Sequence, residues 1–402
     1  MSNIDGSCHF YRNRLSKFDD GTLTLINNCG QLYEGNDTFY KIWAQFDGNK
    51  SLAEIVSEFQ NQFDSSLAEE IRSDIVEIVG DMLNLGIIDE LKRPEMPILF
   101  TNSDLLSAHI AITNRCNLKC NHCYLKGQEI CSITREEYRS LLDELKSIGI
   151  LTIEISGGEP LLHNDFLWFL SLTKELGFYV KLFTNATLLT IENVQDIIRN
   201  VDSFRISIDG GEITHNLRRG QGAYLKTISA LPLLKGSDVQ ISMTIDADNV
   251  SDIIHVKNIA ESYDFKFELS PVVPYDSIHS TRRKMIDLMR EINKTMMYIG
   301  TVGRRYAHTG INCEAAIRQL YINSKLQVFP CPLLSEDKWM IGHLRENKLT
   351  HILNSVRYFE VLNNLNILKS NCVKCNNCSF WCAAMVDQMK DKKSPFCLYK
   401  NG

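Results

Sequence analysis

Short apolar stretches alternate with amphipathic helical segments through the middle of the chain. The apolar stretches predict strands over residues 109–113, 151–156, 179–184, 203–209, 239–245 and 265–270. A helix is expected after each of the first three strands, and Thr134 and Glu137 have the spacing of a capping box at one helix start. Six strand–helix units predict an α/β domain whose parallel sheet curls into a partial barrel, with chemistry at the carboxyl ends of its strands.

A different pattern precedes this core. Alternating apolar residues at 22–26, a turn at 27–30 and a return segment at 31–35 predict a β-hairpin. Three amphipathic helices are expected next, at residues 37–46, from Ser51, and at 67–85, and Ser51 with Glu54 forms a second capping box. These elements predict a winged-helix-like α+β domain over residues 1–98. The core is expected over residues 99–300, and a Cys-rich domain over residues 301–402.

Composition narrows the classes of function. The 402-residue chain has a net charge of −6 and no basic block, which argues against a nucleic-acid partner. No apolar run approaches a membrane span and the first residues lack a signal-peptide pattern, so we expect a cytoplasmic protein with no membrane partner. The 13 Cys residues are odd in number and clustered, which indicates metal ligation more than disulfides.

The most specific chemical signal is a C-x3-C-x2-C run directly after the first predicted strand, formed by Cys116, Cys120 and Cys123. Three thiolates on one loop can hold three irons of a [4Fe–4S] cube and leave the fourth iron open to a small molecule. A zinc loop is the alternative, although zinc sites usually combine a C-x2-C pair with a distant second pair.

This run, followed by the aromatic Tyr124, resembles the radical S-adenosylmethionine (SAM) superfamily. The resemblance implies that the open iron binds the amino and carboxylate groups of SAM, and that an electron splits SAM to give a 5′-deoxyadenosyl radical. Cys116, Cys120 and Cys123 would then be both the metal ligands and the catalytic residues. Tyr124 is expected near the adenine, and His122 is expected to be a spacer.

Residues at the ends of the later predicted strands also resemble motifs of this superfamily. Gly157-Gly158-Glu159-Pro160 resembles the GGE motif, which binds the SAM amino group in that superfamily. Glycines let the backbone approach a ligand closely, and Glu159 supplies negative charge. Asn185 ends the third predicted strand and is a further cofactor-binding candidate. Ser207 and Asp209 end the fourth, and the resemblance implies that they face the SAM ribose or carboxylate.

The segment from His215 to Tyr224 resembles the "H…RG…GAF" run of SPASM-type radical SAM enzymes, in which an Arg pairs with the SAM carboxylate. Counting from His215 selects Arg219, whereas counting back from Gly222 selects Arg218. Both remain candidates.

The second concentration of cysteines resembles the SPASM domain, which holds two auxiliary [4Fe–4S] clusters. Its spacing departs from the family, because a C-x2-C-x2-C-x3-C block replaces C-x2-C-x5-C-x3-C. The shorter block matches the bacterial ferredoxin run, whose fourth Cys ligates the other cluster. The resemblance assigns one cluster to Cys372, Cys375, Cys378 and Cys397, and the other to Cys313, Cys331 and Cys382.

Two [4Fe–4S] clusters contain eight irons, and this assignment supplies seven Cys ligands for them. One iron is therefore open to a substrate thiolate, or it is filled by water, a non-Cys ligand, Cys8, Cys29 or Cys131. A structural zinc in place of the C-terminal cluster is a further alternative.

The front domain resembles the pyrroloquinoline quinone chaperone family, also called the RiPP recognition element, where RiPPs are ribosomally made and post-translationally modified peptides. The resemblance rests on the hairpin-plus-helices pattern and the phrase "FYKIWAQFDGNKSLAEIV". It implies that a hairpin sheet edge adds a strand from the leader of a precursor peptide. A packing domain without a ligand is the alternative.

Together these resemblances imply a radical SAM peptide maturase of the SPASM type. It would use SAM, three [4Fe–4S] clusters and a flavodoxin- or ferredoxin-type electron donor. A Cys thioether, as in sactipeptide or ranthipeptide maturation, is the leading product. Alternatives are a carbon–carbon crosslink or cyclophane, epimerisation with Cys131 as hydrogen donor, sulfatase-type maturation, and a non-catalytic iron–sulfur sensor that binds a peptide.

Overall fold

The computed structural model describes residues 8–12, 16–19, 22–26, 32–35, 37–85, 87–89, 98–100, 105–125, 128–271, 313, 315–370 and 382–388. Two compact units divide the chain, the first from residues 1–104 with 173–179 and the second from residues 105–172 with 180–402. In the described part of the chain, no helix is long and apolar enough to cross a membrane.

The first unit combines short strands with three helices. Its strands are β1 (His9–Arg12), β2 (Ser16–Asp19), β3 (Thr22–Ile26), β4 (Leu32–Gly35), β5 (Asp47–Ser51), β6 (Ile88–Asp89) and β7 (Ile98–Phe100). Its helices are α1 (Asp37–Trp43), α2 (Leu52–Gln60) and α3 (Ala68–Asn84). The strands form two sheets, in the orders β5-β1-β6 and β4-β3-β2-β7. The predicted hairpin strands are confirmed as the antiparallel pair β3–β4, while the predicted turn lies outside the described residues.

The helices of this unit begin where their sequences predict. At α2 the Ser51 N–H donates to Glu54 Oε2 at 2.8 Å, and the Glu54 N–H donates to Ser51 Oγ at 3.4 Å. Such a cap contributes about 1 kcal/mol. The apolar helix faces meet in one core, which includes the fully buried Trp43, Phe46 and Ile55. The five strands outside the hairpin were not predicted because they are short, and β5 reads Asp-Gly-Asn-Lys-Ser.

Six strands form the centre of the second unit, which confirms the predicted partial-barrel core. They are β8 (Ser107–Thr113), β9 (Thr152–Gly157), β10 (Tyr179–Thr184), β11 (Ser203–Ser207), β12 (Val239–Ile245) and β13 (Lys266–Pro271). They lie side by side in chain order, with parallel pairing at β8–β9, β10–β11, β11–β12 and β12–β13. All residues from Ala108 to Thr113 are buried, as expected for a parallel strand covered on both faces.

Helices follow these strands. They are α4 (Arg135–Ser147), α5 (Phe166–Glu175), α6 (Ile191–Asn200), α7 (Glu212–Arg219), α8 (Ala223–Ala230) and α9 (Ile253–Ser262). The predicted cap of α4 is confirmed, because the Glu137 N–H donates to Thr134 Oγ1 at 3.2 Å and the Thr134 N–H donates to Glu137 Oε2 at 2.9 Å. Short 3-10 helices lie at Ser65–Leu67, Pro160–Leu162, Leu231–Leu234, Val250–Asp252 and Asp337–Trp339.

The C-terminal segment extends the same sheet beyond β8. It adds β14 (Gln319–Ile322), β15 (Gln327–Phe329) and β16 (Gly342–His343), followed by helices α10 (Leu349–Leu353), α11 (Val356–Ser370) and α12 (Ala383–Gln388). Strand β14 runs parallel to β8, with Tyr321 opposite His109, whereas β15 and β16 are antiparallel additions. The Cys-rich segment therefore begins beside the strand that leads into the C-x3-C-x2-C loop.

Candidate active site

The C-x3-C-x2-C loop, residues 114–125, leaves the carboxyl end of β8, where chemistry was expected. Burial raises the pKa of the Cys116 thiol to about 11, and the charges of Glu159, Cys120 and Cys123 add to this rise. Burial also raises the pKa of Cys120, with Arg219 opposing the rise and Cys123 adding to it. The three thiols therefore lie within electrostatic reach of one another. Metal binding would displace their protons, as it does at thiolate sites in general.

Gly157 and Gly158 are needed because their backbone lies directly against the start of this loop. The Gly158 N–H donates to the Thr113 carbonyl at 2.9 Å, and the Glu159 N–H donates to the Arg115 carbonyl at 2.8 Å. A Cβ on Gly157 would lie 1.9 Å from the Thr113 oxygen, and a Cβ on Gly158 would lie 2.2 Å from the Arg115 oxygen. The glycines thus let the end of β9 hold the residue immediately before Cys116.

Glu159 is fully buried and joins three strand ends. Its Oε1 accepts from the Thr184 hydroxyl at 2.7 Å and from the Leu161 N–H at 3.3 Å, and its Oε2 accepts from the Asn185 N–H at 2.9 Å. Burial raises the pKa of this carboxyl to about 7, although the three hydrogen bonds act in the opposite direction. Glu159 is therefore poised to gain or lose charge near neutral pH, beside Cys116.

Asn185 connects the end of β10 to the cysteine loop. Its Nδ2 donates to Asn117 Oδ1 at 3.0 Å, and Asn117 Nδ2 donates to the Thr187 hydroxyl at 2.8 Å. The Asn185 carbonyl also accepts from Thr227 at 2.9 Å. These bonds fix the loop between Cys116 and Cys120 against a neighbouring strand end.

Asp209 is the most connected carboxylate of the site and is fully buried. Its Oδ1 accepts from the Thr244 N–H at 2.9 Å and from Arg219 Nη2 at 3.0 Å, while its Oδ2 accepts from Arg219 Nε at 2.6 Å. Burial opposes ionisation, yet the charge of Arg219 and its hydrogen bonds hold the pKa of Asp209 below its usual value. Asp209 is therefore ionised and already paired.

The two candidate arginines have different surroundings. Arg219 uses two nitrogens on Asp209 and places Nη1 4.0 Å from Cys120 Sγ. Arg218 donates from Nη1 to Asp246 at 2.6 Å and from Nη2 to the Thr244 carbonyl at 3.1 Å. The Arg218 carbonyl also accepts from the Asn121 N–H at 3.0 Å. Both residues contact the cysteine loop, so the choice of a SAM-binding arginine stays open.

The structure also includes two histidines that sequence reasoning did not assign to the site. His122, expected as a spacer, places Nε2 3.5 Å from Asp209 Oδ2. His215 accepts from the Asp209 N–H at Nδ1, 3.2 Å away. Burial, followed by the charge of Arg219, lowers the pKa of each imidazole to about 4, so both rings are neutral at pH 7. His215 belongs to the run from His215 to Tyr224 and lies six residues after Asp209, whereas the contact of His122 with Asp209 joins the cysteine loop to a later strand end and has no local signal.

Ser207 and Tyr124 lie away from this network. Ser207 ends β11 opposite Ser242 of β12. Tyr124 packs edge-on against Tyr321 of β14, with 6.4 Å between ring centroids. The predicted roles of the candidate residues toward SAM, including an adenine contact for Tyr124, stay predictions.

Three of the seven C-terminal cysteines lie in the described part of the chain. Cys331 follows β15, and burial raises the pKa of its thiol well above the ordinary value, with the charges of Cys313 and Cys382 adding to this rise. These three cysteines therefore lie near one another, as the assignment to one cluster requires. Cys372, Cys375, Cys378 and Cys397 lie outside the described residues.

Among the described residues, no three His, Cys, Asp or Glu side chains converge closely enough to share one metal ion. A [4Fe–4S] cube makes a different demand, because each thiolate binds its own iron. Electrostatic interactions connect the thiols within each of two separate groups, at residues 116–123 and at Cys313, Cys331 and Cys382, and their assignment as cluster ligands stays a prediction. Two of the three remaining thiols have other contacts, since Cys131 donates to the Ser324 carbonyl at 3.2 Å and Cys8 packs against the core of the first unit, while Cys29 lies outside the described residues.

A charged layer lines the inner face of the six strands and was missed from sequence. Glu154 of β9 lies 3.2 Å from His109 Nδ1 and 3.5 Å from Lys181 Nζ, and Arg205 of β11 lies 2.5 Å from Glu268. Burial disfavours the charge of Glu154, yet Lys181 and His109 hold the pKa of its carboxyl below the usual range. Barrel interiors are more often filled by branched apolar residues.

Three family models match the chain in sequence. The coenzyme PQQ synthesis protein D (PqqD) family matches residues 18–88, the radical SAM superfamily matches residues 110–263, and the iron–sulfur cluster-binding SPASM domain matches residues 313–379. The match to the radical SAM superfamily begins on β8 and includes the cysteine loop and the residues around Glu159 and Asp209.

Individual relatives agree with these matches. An AdoMet-dependent heme synthase of Methanosarcina barkeri is 27% identical over 76% of this chain and 99% of its own length. The subtilosin biosynthesis protein AlbA of Bacillus subtilis is 25% identical over 80% of this chain and 76% of its own length. Among solved structures, Streptococcus suis SuiB bound to S-adenosylmethionine has a TM-score of 0.62 at 17% identity, covering 96% of this chain and 98% of SuiB.

Proposed function

Because the chain is a radical SAM enzyme with a PqqD domain before the core and a SPASM domain after it, we propose that it modifies a ribosomally made precursor peptide. The proposed product is a thioether between a Cys sulfur and an unreactive carbon of that peptide. The proposed domains are residues 1–98 for leader binding, 99–300 for radical chemistry and 301–402 for auxiliary clusters.

The observation that carries the proposal is the PqqD match directly ahead of the radical SAM core. The edge of a small antiparallel sheet can add a strand from an extended peptide, which gives affinity through main-chain hydrogen bonds. The subtilosin biosynthesis protein, which takes part in making an antilisterial bacteriocin, is similar over most of its length. A leader bound in this way would raise the local concentration of the rest of the peptide at the barrel.

When bound, SAM and its cluster supply an adenosyl radical that removes a hydrogen atom from an unreactive carbon. The chain's own residues prepare this site. Cys116, Cys120 and Cys123 would hold the cluster, and the backbone of Gly157 and Gly158 keeps their loop against β9. Glu159 would offer negative charge to the SAM amino group. Arg219 is already paired with Asp209, and its Nη1 lies 4.0 Å from Cys120 Sγ, where the cluster would bind.

The choice of a thioether rests on the C-terminal thiols. Seven cysteines for two auxiliary clusters leave one iron corner without a protein thiolate. A peptide thiolate is the ligand that such a position favours, since iron–sulfur clusters bind thiolates, and the cluster there would take up the one electron released when the sulfur bonds to the carbon radical. We therefore propose three [4Fe–4S] clusters in total and a flavodoxin- or ferredoxin-type electron donor.

Accurate mass measurement tests the proposal. A short Cys-containing peptide encoded beside the gene would be incubated anaerobically with reconstituted enzyme, SAM and reductant, and then alkylated. Loss of two hydrogens with one fewer alkylatable Cys is the expected result. The same loss with every Cys free would replace the thioether by a carbon–carbon link or desaturation. Deuterium uptake from heavy water without the loss would indicate epimerisation, and intact SAM would contradict an enzymatic role.

Two controls sharpen this experiment. The variant with Cys116, Cys120 and Cys123 all changed to Ala should leave both SAM and the peptide unchanged. A peptide in which each Cys is replaced by Ala should still bind but should lose no hydrogens. Leader binding is tested separately by fluorescence anisotropy, in which the leader alone should bind and the core peptide alone should not.

A second candidate follows from the heme synthase of Methanosarcina barkeri, which aligns over nearly its whole length. In this case the substrate would be a tetrapyrrole rather than a peptide. About a quarter of the present chain lies outside that alignment. Modification of an iron porphyrin, with no change in any peptide, would favour this candidate.

A further inference from the structure

Two tyrosines connect the C-x3-C-x2-C loop with the C-terminal cysteine site. Tyr124 directly follows Cys123 and packs edge-on against Tyr321, with 6.4 Å between ring centroids and 74° between ring planes. Tyr321 is fully buried on β14, and its ring also packs against Phe329 of β15 at 6.2 Å. Cys331 lies two residues beyond Phe329. The tyrosine pair therefore adjoins Cys123 in sequence through Tyr124, and packs through Tyr321 against the strand that leads to Cys331.

The electrostatics of the pair agree with this placement. Burial raises the pKa of both phenols, and the charges of Cys123 and Cys331 add to the rise at each of them. Both hydroxyls are therefore protonated donors over the whole working pH range. Each one lies within electrostatic reach of a cysteine from either site.

The Tyr321 hydroxyl is the informative atom. Within the described residues it is buried and lacks a partner at standard hydrogen-bond geometry, although the Tyr124 hydroxyl is near enough to interact with it. Leaving a buried hydroxyl without an acceptor costs about 1–3 kcal/mol. A cluster held by Cys331 would place anionic sulfur acceptors within electrostatic reach of this hydroxyl.

We propose that Tyr321, positioned by Tyr124, donates a hydrogen bond to a sulfur of the auxiliary cluster held by Cys331, on the side that faces the SAM-cluster loop. The inference rests on the proposed auxiliary cluster, but not on the peptide or on the bond formed in it. Hydrogen bonds to cluster sulfurs are among the factors that set reduction potentials. Because the reduced cluster carries one more negative charge, the donor stabilises it and raises its potential.

Tyr321→Phe removes the donor and keeps the ring packing. The test is an EPR-monitored redox titration of the reconstituted full chain without peptide, in wild type and variant. The Cys116→Ala/Cys120→Ala/Cys123→Ala background removes the SAM cluster and leaves the auxiliary signals to be followed. We expect one auxiliary cluster to move to a more negative midpoint potential in Tyr321→Phe, with iron content unchanged.

Tyr358→Phe is the matched control, because its hydroxyl donates to the Ala316 carbonyl at 2.7 Å and not to a cysteine site. Its auxiliary potentials should equal those of wild type. An unchanged potential in Tyr321→Phe at full iron content would overturn the inference, as would an equal shift in Tyr358→Phe.

A second measurement covers the case in which Tyr321→Phe loses iron. In the same background with Tyr321 intact, electron–nuclear double resonance before and after exchange into heavy water should reveal an exchangeable proton coupled to a reduced auxiliary cluster. Tyr124→Phe, which loosens the position of Tyr321, should weaken that coupling. Absence of an exchangeable coupled proton would overturn the inference. Neither measurement contains peptide. A failure of the proposed peptide chemistry would therefore appear in the mass assay alone and would not change these two results.

Discussion

Arg219 and Asp209 form a buried two-point ion pair, with Nε 2.6 Å from Oδ2 and Nη2 3.0 Å from Oδ1. The pair joins the segment just after β11 to the last turn of α7, and the third guanidinium nitrogen points toward Cys120. The fork of an arginine matches a carboxylate in geometry as well as in charge. The same contact that fixes the fold at this point therefore also positions a cation beside the candidate cluster.

Arg219→Met should destabilise the protein by about 3 kcal/mol, because the buried Asp209 loses its two hydrogen-bonded nitrogens and keeps only Arg218, whose Nε lies 3.7 Å from Oδ2, as a charged partner. His122, at 3.5 Å, is neutral at pH 7 in the wild type. The measurement is urea unfolding at pH 7. Arg199→Met is the matched control, since Arg199 pairs with Asp196 on an exposed surface and should cost less than about 1 kcal/mol. Equal losses in the two variants would contradict the structural role of the Arg219–Asp209 pair.

Gly158→Ala should prevent the cysteine loop from holding a cluster. The new Cβ would lie 2.2 Å from the Arg115 carbonyl oxygen and 2.8 Å from that of Asn114, so the backbone before Cys116 has to move. Iron content after anaerobic reconstitution should fall by about one [4Fe–4S] equivalent, with a matching loss of SAM cleavage. Gly211→Ala is the control, because its Cβ would meet only the His255 ring at 3.6 Å. A Gly158→Ala protein with full iron content would show that this close approach is not required.

Local signals predicted the fold well where the apolar pattern was long. The bounds of β10 and β12 agree residue for residue with the sequence prediction, and the caps at Thr134 and Ser51 form as expected. Such features depend on residues that are neighbours in sequence. By contrast, the pairing of β14 with β8 joins residues about two hundred positions apart, and a strand of four residues gives no periodic signal of its own.

In the candidate site, too, local motifs predicted some features, whereas contacts between distant residues were not predicted. The motifs predicted which loops carry chemistry, and the structure brings Glu159, Asn185, Asp209 and Arg219 into hydrogen-bonded contact around the cysteine loop. The motifs could not distinguish Arg218 from Arg219, because adjacent residues on α7 both point inward when the helix end is buried. They also missed His122, whose contact with Asp209 depends on how the loop folds back over α7.

The charged layer inside the barrel should behave as one coupled network. Lys181 is buried, Glu154 is mostly buried, and their side chains lie 3.5 Å apart, so Lys181→Met leaves the carboxylate with His109, Gln319 and the charge of Arg205 as its remaining partners. Each of Lys181→Met and Glu154→Gln should cost a few kcal/mol of unfolding free energy, about 3 for the loss of a buried partner. The double variant should lose less than the sum, with a coupling energy of about 0.5–3 kcal/mol by urea unfolding. Strict additivity would mean that the two charges do not interact.

SAM affinity should rise with pH through the ionisation of Glu159. Burial raises the pKa of this carboxyl to about 7, so it is mostly neutral at pH 6 and mostly ionised at pH 8. A positively charged amino group is favoured only by the ionised form, and the apparent affinity falls in proportion to the competent fraction. The ratio of wild-type to Glu159→Gln affinity, measured by equilibrium binding on reconstituted protein, should therefore increase about tenfold from pH 6 to pH 8. Taking the ratio removes the titration of SAM itself, because SAM titrates equally in both experiments. A ratio that stays flat over this range would mean that Glu159 serves only to hold Thr184 and Asn185, and that another group meets the SAM amino end.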